Sequence, residues 1–328
     1  MKIKNVPKPI ILDGDPGHDD AIAWVLAKAI PELEIKAITT VAGNQSLAKV
    51  TLNARKIAAL IGFHGPIAAG AAHPLTADPV TAGNFHGDSG LDGIELPEPK
   101  MEISPLSAPE LMAAVLRAAD TEITIVATGP LTNVATFLLL YPELKAKIGR
   151  IALMGGGIRN GNWTAAAEFN FFEDPEAAAI VFRSGIPITM AGLDVTEQAV
   201  ITPDDIDVIA KIDNAVSRVV TAWLKFFILH HQNLGLPGLL LHDPCALLSL
   251  TVPELFEARP AYVEVECTGI YTRGTCVARW RDLFNGKKAV GIEKSVLDGA
   301  ALSPVDVLVK LDRPAFIREI CALLRTYN

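Results

Sequence analysis

The sequence predicts an α/β fold built on an open, mostly parallel (mixed) sheet with helices on both faces. Three observations carry this expectation. Short Val/Ile/Thr-rich runs alternate with helical stretches as far as Thr202, with a glycine or proline turn between them. The 328 residues suffice for one large domain, and with no Ser/Gly/Pro linker, internal repeat or low-complexity segment in view, a single domain over residues 1–328 is expected. Half of the residues are hydrophobic and 20% are charged, so there is ample apolar material for a core on both faces of a sheet.

Taken in order, Pro9 to Leu12 form a first strand that meets the turn former Pro16-Gly17, and Asp19-Asp20 then opens the helical stretch AIAWVLAKAI. LEIKAITTVAGN leads into SLAKVTLNARKIAALIG, and EITIVATGP into LTNVATFLLLYP, by the same alternation. IGRIALMGGG, DPEAAAIVFRSG and IPITMAGLDVT read as strand, helix and strand. Such a rhythm implies parallel strands covered by crossover helices. Two stretches break it, Gly70 to Gly93 and Gly157 to Pro175, and long polar loops in an α/β protein are more often functional than structural. Beyond Thr202 come the long helical stretches DDIDVIAKI and NAVSRVVTAWLKFFILHHQN, followed by LHDPCALLSL. The strand pair AYVEVECTG and GTCVARW comes next, and VDVLVKLDRPAFIREICALLRTYN closes the chain as strand and helix.

Composition excludes several functions. With 29 Lys plus Arg against 37 Asp plus Glu, a formal charge of -8 and no dense basic block, nucleic acid is not expected as a partner. No apolar run approaches the roughly 18 residues of a membrane span, and the N-terminus lacks a signal-peptide core. Cys245, Cys267, Cys276 and Cys321 have no CxxC spacing, so a reducing, cytoplasmic setting with free thiols is expected.

The chemistry concentrates at strand ends. DGDPGHDD, Asp13 to Asp20, places four carboxylates after the first strand, at the sheet edge where open α/β proteins bind ligands. On a strand Asp13 and Asp15 would share a side, and the Pro-Gly turn can fold Asp19 and Asp20 back toward them. Such crowding raises every pKa unless a cation neutralises it. A hard, oxygen-ligated Ca²⁺ or Mg²⁺ suits these residues better than Zn²⁺, since no His/Cys set lies nearby in sequence. The plainer reading makes Asp19 and Asp20 dipole-favoured acids of a first helical turn and Asp13 a turn residue. AGN, ending at Asn44, and ATGPLTN, which holds Thr128 and Asn133, read singly as turn and cap chemistry, but both fall on the same sheet edge. Asn162, Glu168 and Asn170 in GNWTAAAEFNFFEDP suit hydroxyl recognition or a solvated loop. His242-Asp243 in LHDP has the look of a helix cap, and His86 in NFHGDSGLDG sits on a glycine-rich segment able to act as a lid or to be a plain surface loop.

Together these motifs, with MGGG and YTRG, resemble the inosine-uridine preferring nucleoside hydrolases, in the same order and spread from Asp13 to Gly274. The resemblance implies an open α/β fold, a tightly bound Ca²⁺, hydrolysis of the N-ribosidic bond of purine or pyrimidine ribonucleosides, and a homodimer or homotetramer. It implies that Asp15 binds the metal and takes a proton from the nucleophilic water. Asp20, the Thr128 carbonyl and Asp243 would complete the protein's share of the metal shell. Asp19 and Asn44 would hold the ribose 2′- and 3′-hydroxyls, Asn162, Glu168 and Asn170 the 5′-hydroxyl, and Met154 would line the ribose pocket. His86 and His242 fall on the nucleobase side, His242 as a candidate acid, and Asp13 supports the ligands from behind. The chemistry agrees: an oxocarbenium-like sugar needs an activated water, nearby negative charge and help for the departing base.

Two departures stand out. Trp163 and Ala165 replace a smaller apolar residue and a proline, and the stretch before His242 has no tyrosine, leaving His230, His231, Gln232 and Asn233 as unranked candidates and base preference open. Two other functions fit the residues less well. A haloacid dehalogenase-like phosphatase also has a DxD after its first strand, but Pro16 follows the second aspartate here and no phosphate-gripping Lys motif is evident. A nucleoside-binding protein without turnover would be expected to lack the base at Asp15, which is present.

Overall fold

The computed structural model describes residues 7–233, 235, 238–280, 293–295 and 298–327, apart from the side chains of Gly83, Asn84 and His230. In chain order the elements are β1 (Lys8–Gly14), α1 (His18–Ala29), β2 (Leu33–Thr40), α2 (Leu47–Leu60), β3 (Ile67–Ala69), α3 (Gly83–His86), α4 (Ala108–Ala118), β4 (Ile123–Ala127), α5 (Thr132–Leu140), β5 (Ile148–Met154), α6 (Phe169–Glu173) and α7 (Pro175–Phe182). There follow β6 (Ile188–Ala191), α8 (Leu193–Thr196), β7 (Val200–Ile201), α9 (Pro203–Ala210), α10 (Ala215–Asn233), β8 (Leu239–Leu240), α11 (Asp243–Leu248), β9 (Phe256–Val265), β10 (Cys276–Trp280), β11 (Val305–Leu311) and α12 (Arg313–Leu324).

Nine strands form one sheet in the order β10-β9-β11-β6-β5-β4-β1-β2-β3. Strands β1 to β6 and β11 run parallel, while β9 is antiparallel to both β10 and β11, so the sheet is mixed as expected. The alternating side chains of each strand feed two cores. Ile10 and Leu12 of β1 join Trp24 of α1, Ile57 of α2, Trp223 of α10 and Phe316 of α12 on one face. Ile11, between them, joins Met112 of α4, Phe137 of α5 and Val181 of α7 on the other. This period of two is why the strands read as nearly continuous apolar runs.

Three details differ from the expectation. The stretch IPITMAGLDVT is strand only over β6, because Gly192 caps the short helix α8. Helix α4, closed by the Ser107/Glu110 capping box, and the three-residue β3 were not foreseen. Strand β1 ends at Gly14, so Asp15 lies beyond it rather than beside Asp13 on one strand. Among the described residues no helix is long and apolar enough to cross a membrane.

Candidate active site

From β1 the chain proceeds outward to β2 and β3 on one side, then resumes at β4 on the other, so β1 and β4 border the switch point where an open α/β sheet leaves a crevice at its carboxyl edge. Asp13 lies near the end of β1 and Asp15 follows it, Asn44 follows β2, Thr128 follows β4 and Met154 ends β5. The Pro16-Gly17 turn returns the chain at once into α1, whose first turn carries Asp19 and Asp20, where free backbone N–H groups and the helix dipole favour negative charge. Asp20 Oδ2 accepts from the Gly17 amide (3.1 Å) and from Asn44 Nδ2 (3.3 Å), and its Oδ1 accepts from the Thr128 hydroxyl (2.6 Å). Asp243, far along the sequence, begins α11 and faces the same point. Asp19, Asp20 and Asp243 each bring a carboxylate oxygen within 4.8 Å of the others, and they are the single such group among the described residues.

Asp15 is fully buried and tightly enclosed. Its Oδ2 accepts from the Asn44 amide (2.6 Å), and Asn44 Nδ2 donates to its carbonyl (3.2 Å). Its Oδ1 has no hydrogen-bond partner. Gly43 and Gly129 press on the two oxygens so closely that a Cβ on Gly43 would collide with Oδ2 and one on Gly129 with Oδ1. Asp13 stands apart, its Oδ1 accepting from Thr39 Oγ1 (2.6 Å) and Asn133 Nδ2 (2.8 Å). Asn133 also donates to the Thr40 carbonyl (3.0 Å), so Asp13 ties the ends of β1 and β2 to α5.

Burial is the main cause of the electrostatics here. It lifts Asp13 to about 7 against the pull of its hydrogen bonds, and Asp20 to about 6 despite the Thr128 hydroxyl. Burial and the neighbouring Asp20 lift Asp19 to about 8 and hold Asp15 well above the usual carboxylate range. Asp243 is likewise held high by burial and then by the charges of Asp19, Asp20 and Asp15. Acids crowded out of water in this way, one with an orphaned oxygen, are the donor set of a hard divalent cation. The residues fit such an ion.

Beside the acids lies a cavity of about 220 Å³, lined by Asp19, Asn44, Thr128 and Asp243 at one end. Met154, Asn162, Glu168 and Asn170 form a wall, and Glu168 and Asn170 are buried rather than part of a solvated loop. Glu168 caps α6, its Oε1 accepting from the Asn170 amide (3.0 Å) and its Oε2 from the amides of Gly156 (2.8 Å) and Phe171 (3.2 Å). Asn162 Oδ1 accepts from the Phe169 amide (3.0 Å). Asn170 Nδ2 donates to the carbonyls of Thr128 (3.0 Å) and Met154 (3.1 Å), linking this wall to the acids and leaving the Thr128 oxygen a second lone pair.

The far end is aromatic, with His86, Trp163, Phe227, His231 and His242. His86 is packed into this wall, stacked on His18 and Phe227, and its Nδ1 accepts from the His18 amide (3.2 Å). His242 Nδ1 meets Thr196 Oγ1 at 2.8 Å, and burial lowers its pKa to about 3, with His231 nearby adding to the effect. Within the stretch 230–233, His231 lines the cavity and Gln232 and Asn233 are exposed, while the His230 side chain lies outside the described residues. Sequence reasoning missed His18, Thr196 and Phe227. The i, i+4 spacing of Phe227 and His231 was the available signal for a shared helix face. A larger groove of about 730 Å³ at the amino ends of the strands holds Glu122, Arg150 and Asp306 but no converging carboxylate set.

The profile of the inosine-uridine preferring nucleoside hydrolases matches residues 10–318. The chain belongs to that family. This nucleoside hydrolase is 51% identical over 273 residues to a pyrimidine-specific ribonucleoside hydrolase, RihA, of Photobacterium profundum, covering 82% of this chain and 88% of the relative. It is 46% identical over 322 residues to the protein of the same name from Escherichia coli O7:K1, covering 97% and 99%. Among solved structures it resembles a plant nucleoside hydrolase, with a TM-score of 0.89, 30% identity and coverage of 98% and 99%. It is similar too to a purine-preferring ribonucleoside hydrolase from Gardnerella vaginalis, with a TM-score of 0.85, 31% identity and coverage of 97% and 99%. The enzyme is thus a hydrolase of N-ribosyl bonds, and nothing in these likenesses supports the phosphatase alternative.

Proposed function

We propose that this nucleoside hydrolase cleaves pyrimidine ribonucleosides to ribose and free base with the aid of Ca²⁺. The observation that carries the metal is the buried, unpartnered Asp15 Oδ1 beside the acid cluster. The preference for pyrimidines rests on the two relatives of 46% and 51% identity named above, against 31% for the purine-preferring one. Asp15, Asp20, the Thr128 carbonyl and Asp243 would hold the ion. When bound, the ion supplies the positive charge that the crowded acids lack, polarises a water and anchors a vicinal diol.

The chain's own residues do the rest. Asp15 is the general base: Oδ2 is pinned by the Asn44 amide, which leaves Oδ1 to take the proton of the attacking water. Asp19 and Asn44 receive the ribose 2′- and 3′-hydroxyls, and Asn162, Glu168 and Asn170 the 5′-hydroxyl, with Met154 against the sugar. The carboxylates of Asp19 and Glu168 face the ring as it gains oxocarbenium character. His86 and His242 stand on the base side and assist its departure, and Asp13 braces the β1 end. Assembly into a homodimer or homotetramer belongs to the same proposal, since Ile270 and Tyr271, 92% and 88% exposed, are side chains such contact would cover. So does a cytoplasmic setting, which the four free cysteines suit.

Metal analysis of protein purified without added cation should find about one calcium per chain, and free ribose should appear faster from uridine than from inosine. Deoxyuridine should be turned over about 10⁴-fold less well, because a site built to pair the 2′-hydroxyl is left unpaired without it. A stoichiometric transition metal would overturn the calcium assignment, and equal turnover of uridine and deoxyuridine the diol assignment. Binding without any ribose release would favour a nucleoside-binding protein.

A further inference from the structure

We propose that Thr196 is a positioning residue that fixes the tautomer of His242, so that the ring presents an Nε2–H donor to the departing base. The inference rests on the placement of His242 at the base side of the site. Thr196, the last residue of α8, is fully buried, and its hydroxyl has one hydrogen-bond partner among the described residues, His242 Nδ1 at 2.8 Å. A hydroxyl carries one proton and two lone pairs. If the ring donated to Oγ1, the threonine proton would be buried with nothing to accept it, and an unmade buried donor costs more than an unused lone pair. The usual outlet of a helical threonine, the carbonyl four residues back, is not taken: Gly192 O accepts from the amides of Val195 (3.1 Å) and Thr196 (3.0 Å), and the Thr196 hydroxyl makes no bond to it, unlike Thr221, whose hydroxyl donates to Ser217 O (2.7 Å). The hydroxyl therefore donates to Nδ1, the proton of the neutral ring sits on Nε2, and Nε2 makes no hydrogen bond to any described residue.

His231 provides a contrast on the same wall. Its Nδ1 meets the Phe227 carbonyl at 3.1 Å, and a carbonyl only accepts, so its Nδ1 carries the proton. Two imidazoles facing one cavity thus have opposite tautomers, set by one hydroxyl and one carbonyl. For a pyrimidine nucleoside a donor at His242 Nε2 has a matching partner, the C2 carbonyl next to the glycosidic nitrogen. As the C–N bond breaks, the electron pair goes to the base and part of the charge appears on that oxygen. A fixed N–H aimed there strengthens in the transition state without giving up its proton, which solvent supplies to the base afterwards.

The test uses the full-length enzyme labelled with ¹⁵N-histidine, His242 being assigned by comparison with His242→Gln. His242 should show a protonated Nε2 and a bare Nδ1, and His231 the reverse. A protonated Nδ1 at His242 overturns the proposal. Thr196→Val, which removes the donor at nearly constant shape, should lower kcat/KM on uridine about tenfold, the worth of one such hydrogen bond, and Thr196→Ser should restore it. On 4-nitrophenyl riboside, whose phenolate leaves unaided, the Val variant should stay within about twofold of the parent, less than the worth of one weak hydrogen bond. Equal losses on both substrates, or a Ser variant as slow as Val, would show that Thr196 only supports the fold. If the parent enzyme prefers inosine to uridine, the pyrimidine reading falls while the tautomer measurement stands on its own.

Discussion

Asp15 owes its position to what its neighbours lack. Gly43 and Gly129 lie against its two oxygens, and neither adopts a positive φ, so their role is to leave space rather than to permit an unusual backbone. Gly129→Ala would push Oδ1 from its place. A displacement of about 1 Å at a reacting group costs on the order of 10² in rate, and we expect kcat on uridine to fall by about that factor with the circular dichroism spectrum intact. Near-parental turnover by this variant would show that Asp15 is not the base. These glycines were printed in the AGN and ATGP motifs, yet a glycine in a turn has many uses, and only the folded chain shows which oxygen each one admits.

At the scale of elements, α2 secures the loop that carries His86 to Gly93. Asn53 spends both protons of its amide on two carbonyls, those of Pro16 (3.0 Å) and Ser89 (2.9 Å), joining the turn before α1 to that loop. Gln45 Nε2 reaches the Gly87 carbonyl (3.1 Å), and Lys49 bonds the Asp88 carbonyl beside it. Asn53→Leu should lower unfolding free energy by about 1–3 kcal/mol, the cost of stranding the buried Pro16 carbonyl, and raise KM for uridine because the His86 wall loosens. Urea denaturation and steady-state kinetics check both, and a variant with a normal urea midpoint and KM would mean that water replaces the amide. This loop also marks the limit of sequence reading. The longer strands of the sheet and the helices after Thr202 were legible because their patterns are local and strong, whereas the three-residue β3 is too short to leave one. Asp13, Asp15, Asp19 and Asp20 were legible as an acid cluster because eight residues hold them all. Asp243 belongs to the same cluster only because α11 packs on α1, and resemblance rather than spacing had pointed to it. His18 sits inside the DGDPGHDD motif, but its stacking on His86, Phe226 and Phe227 joins three separate segments and has no local signature.

For the whole molecule the acids set how stability responds to pH. Without a metal, Asp13, Asp20 and Asp19 titrate near 7, 6 and 8 in the folded enzyme, against an ordinary 3.8 when unfolded. A raised folded pKa gives stability that is full below the unfolded value and is lost as pH rises through the folded one. The buried histidines act in the opposite sense: His18, lowered to about 4, and His242, to about 3, stabilise the fold above the ordinary 6.5 and lose that contribution as pH falls below it. Between about pH 7 and 8.5 the unfolded histidines are mostly neutral, so their contribution is nearly constant and the acids decide, Asp13 and Asp19 above all. Melting temperature in chelator should fall across that window, and excess Ca²⁺ should raise it more at the alkaline end. A chelated enzyme that grows more stable over the same interval would contradict the assignment of these acids. The parallel pairing of β1 with β4 has a metrical consequence as well. Adjacent strands stand about 4.8 Å apart, and calcium accepts oxygen ligands at about 2.3–2.6 Å in an irregular shell, whereas magnesium demands about 2.0–2.1 Å and near-ideal octahedral geometry. Asp15 and Thr128, just past those two strands, would contribute to holding the ion from positions that the sheet sets, which suits a cation tolerant of irregular donors better than one that demands a compact octahedron. Magnesium should accordingly bind more weakly by titration calorimetry, with the sheet acting as a gauge of coordination geometry.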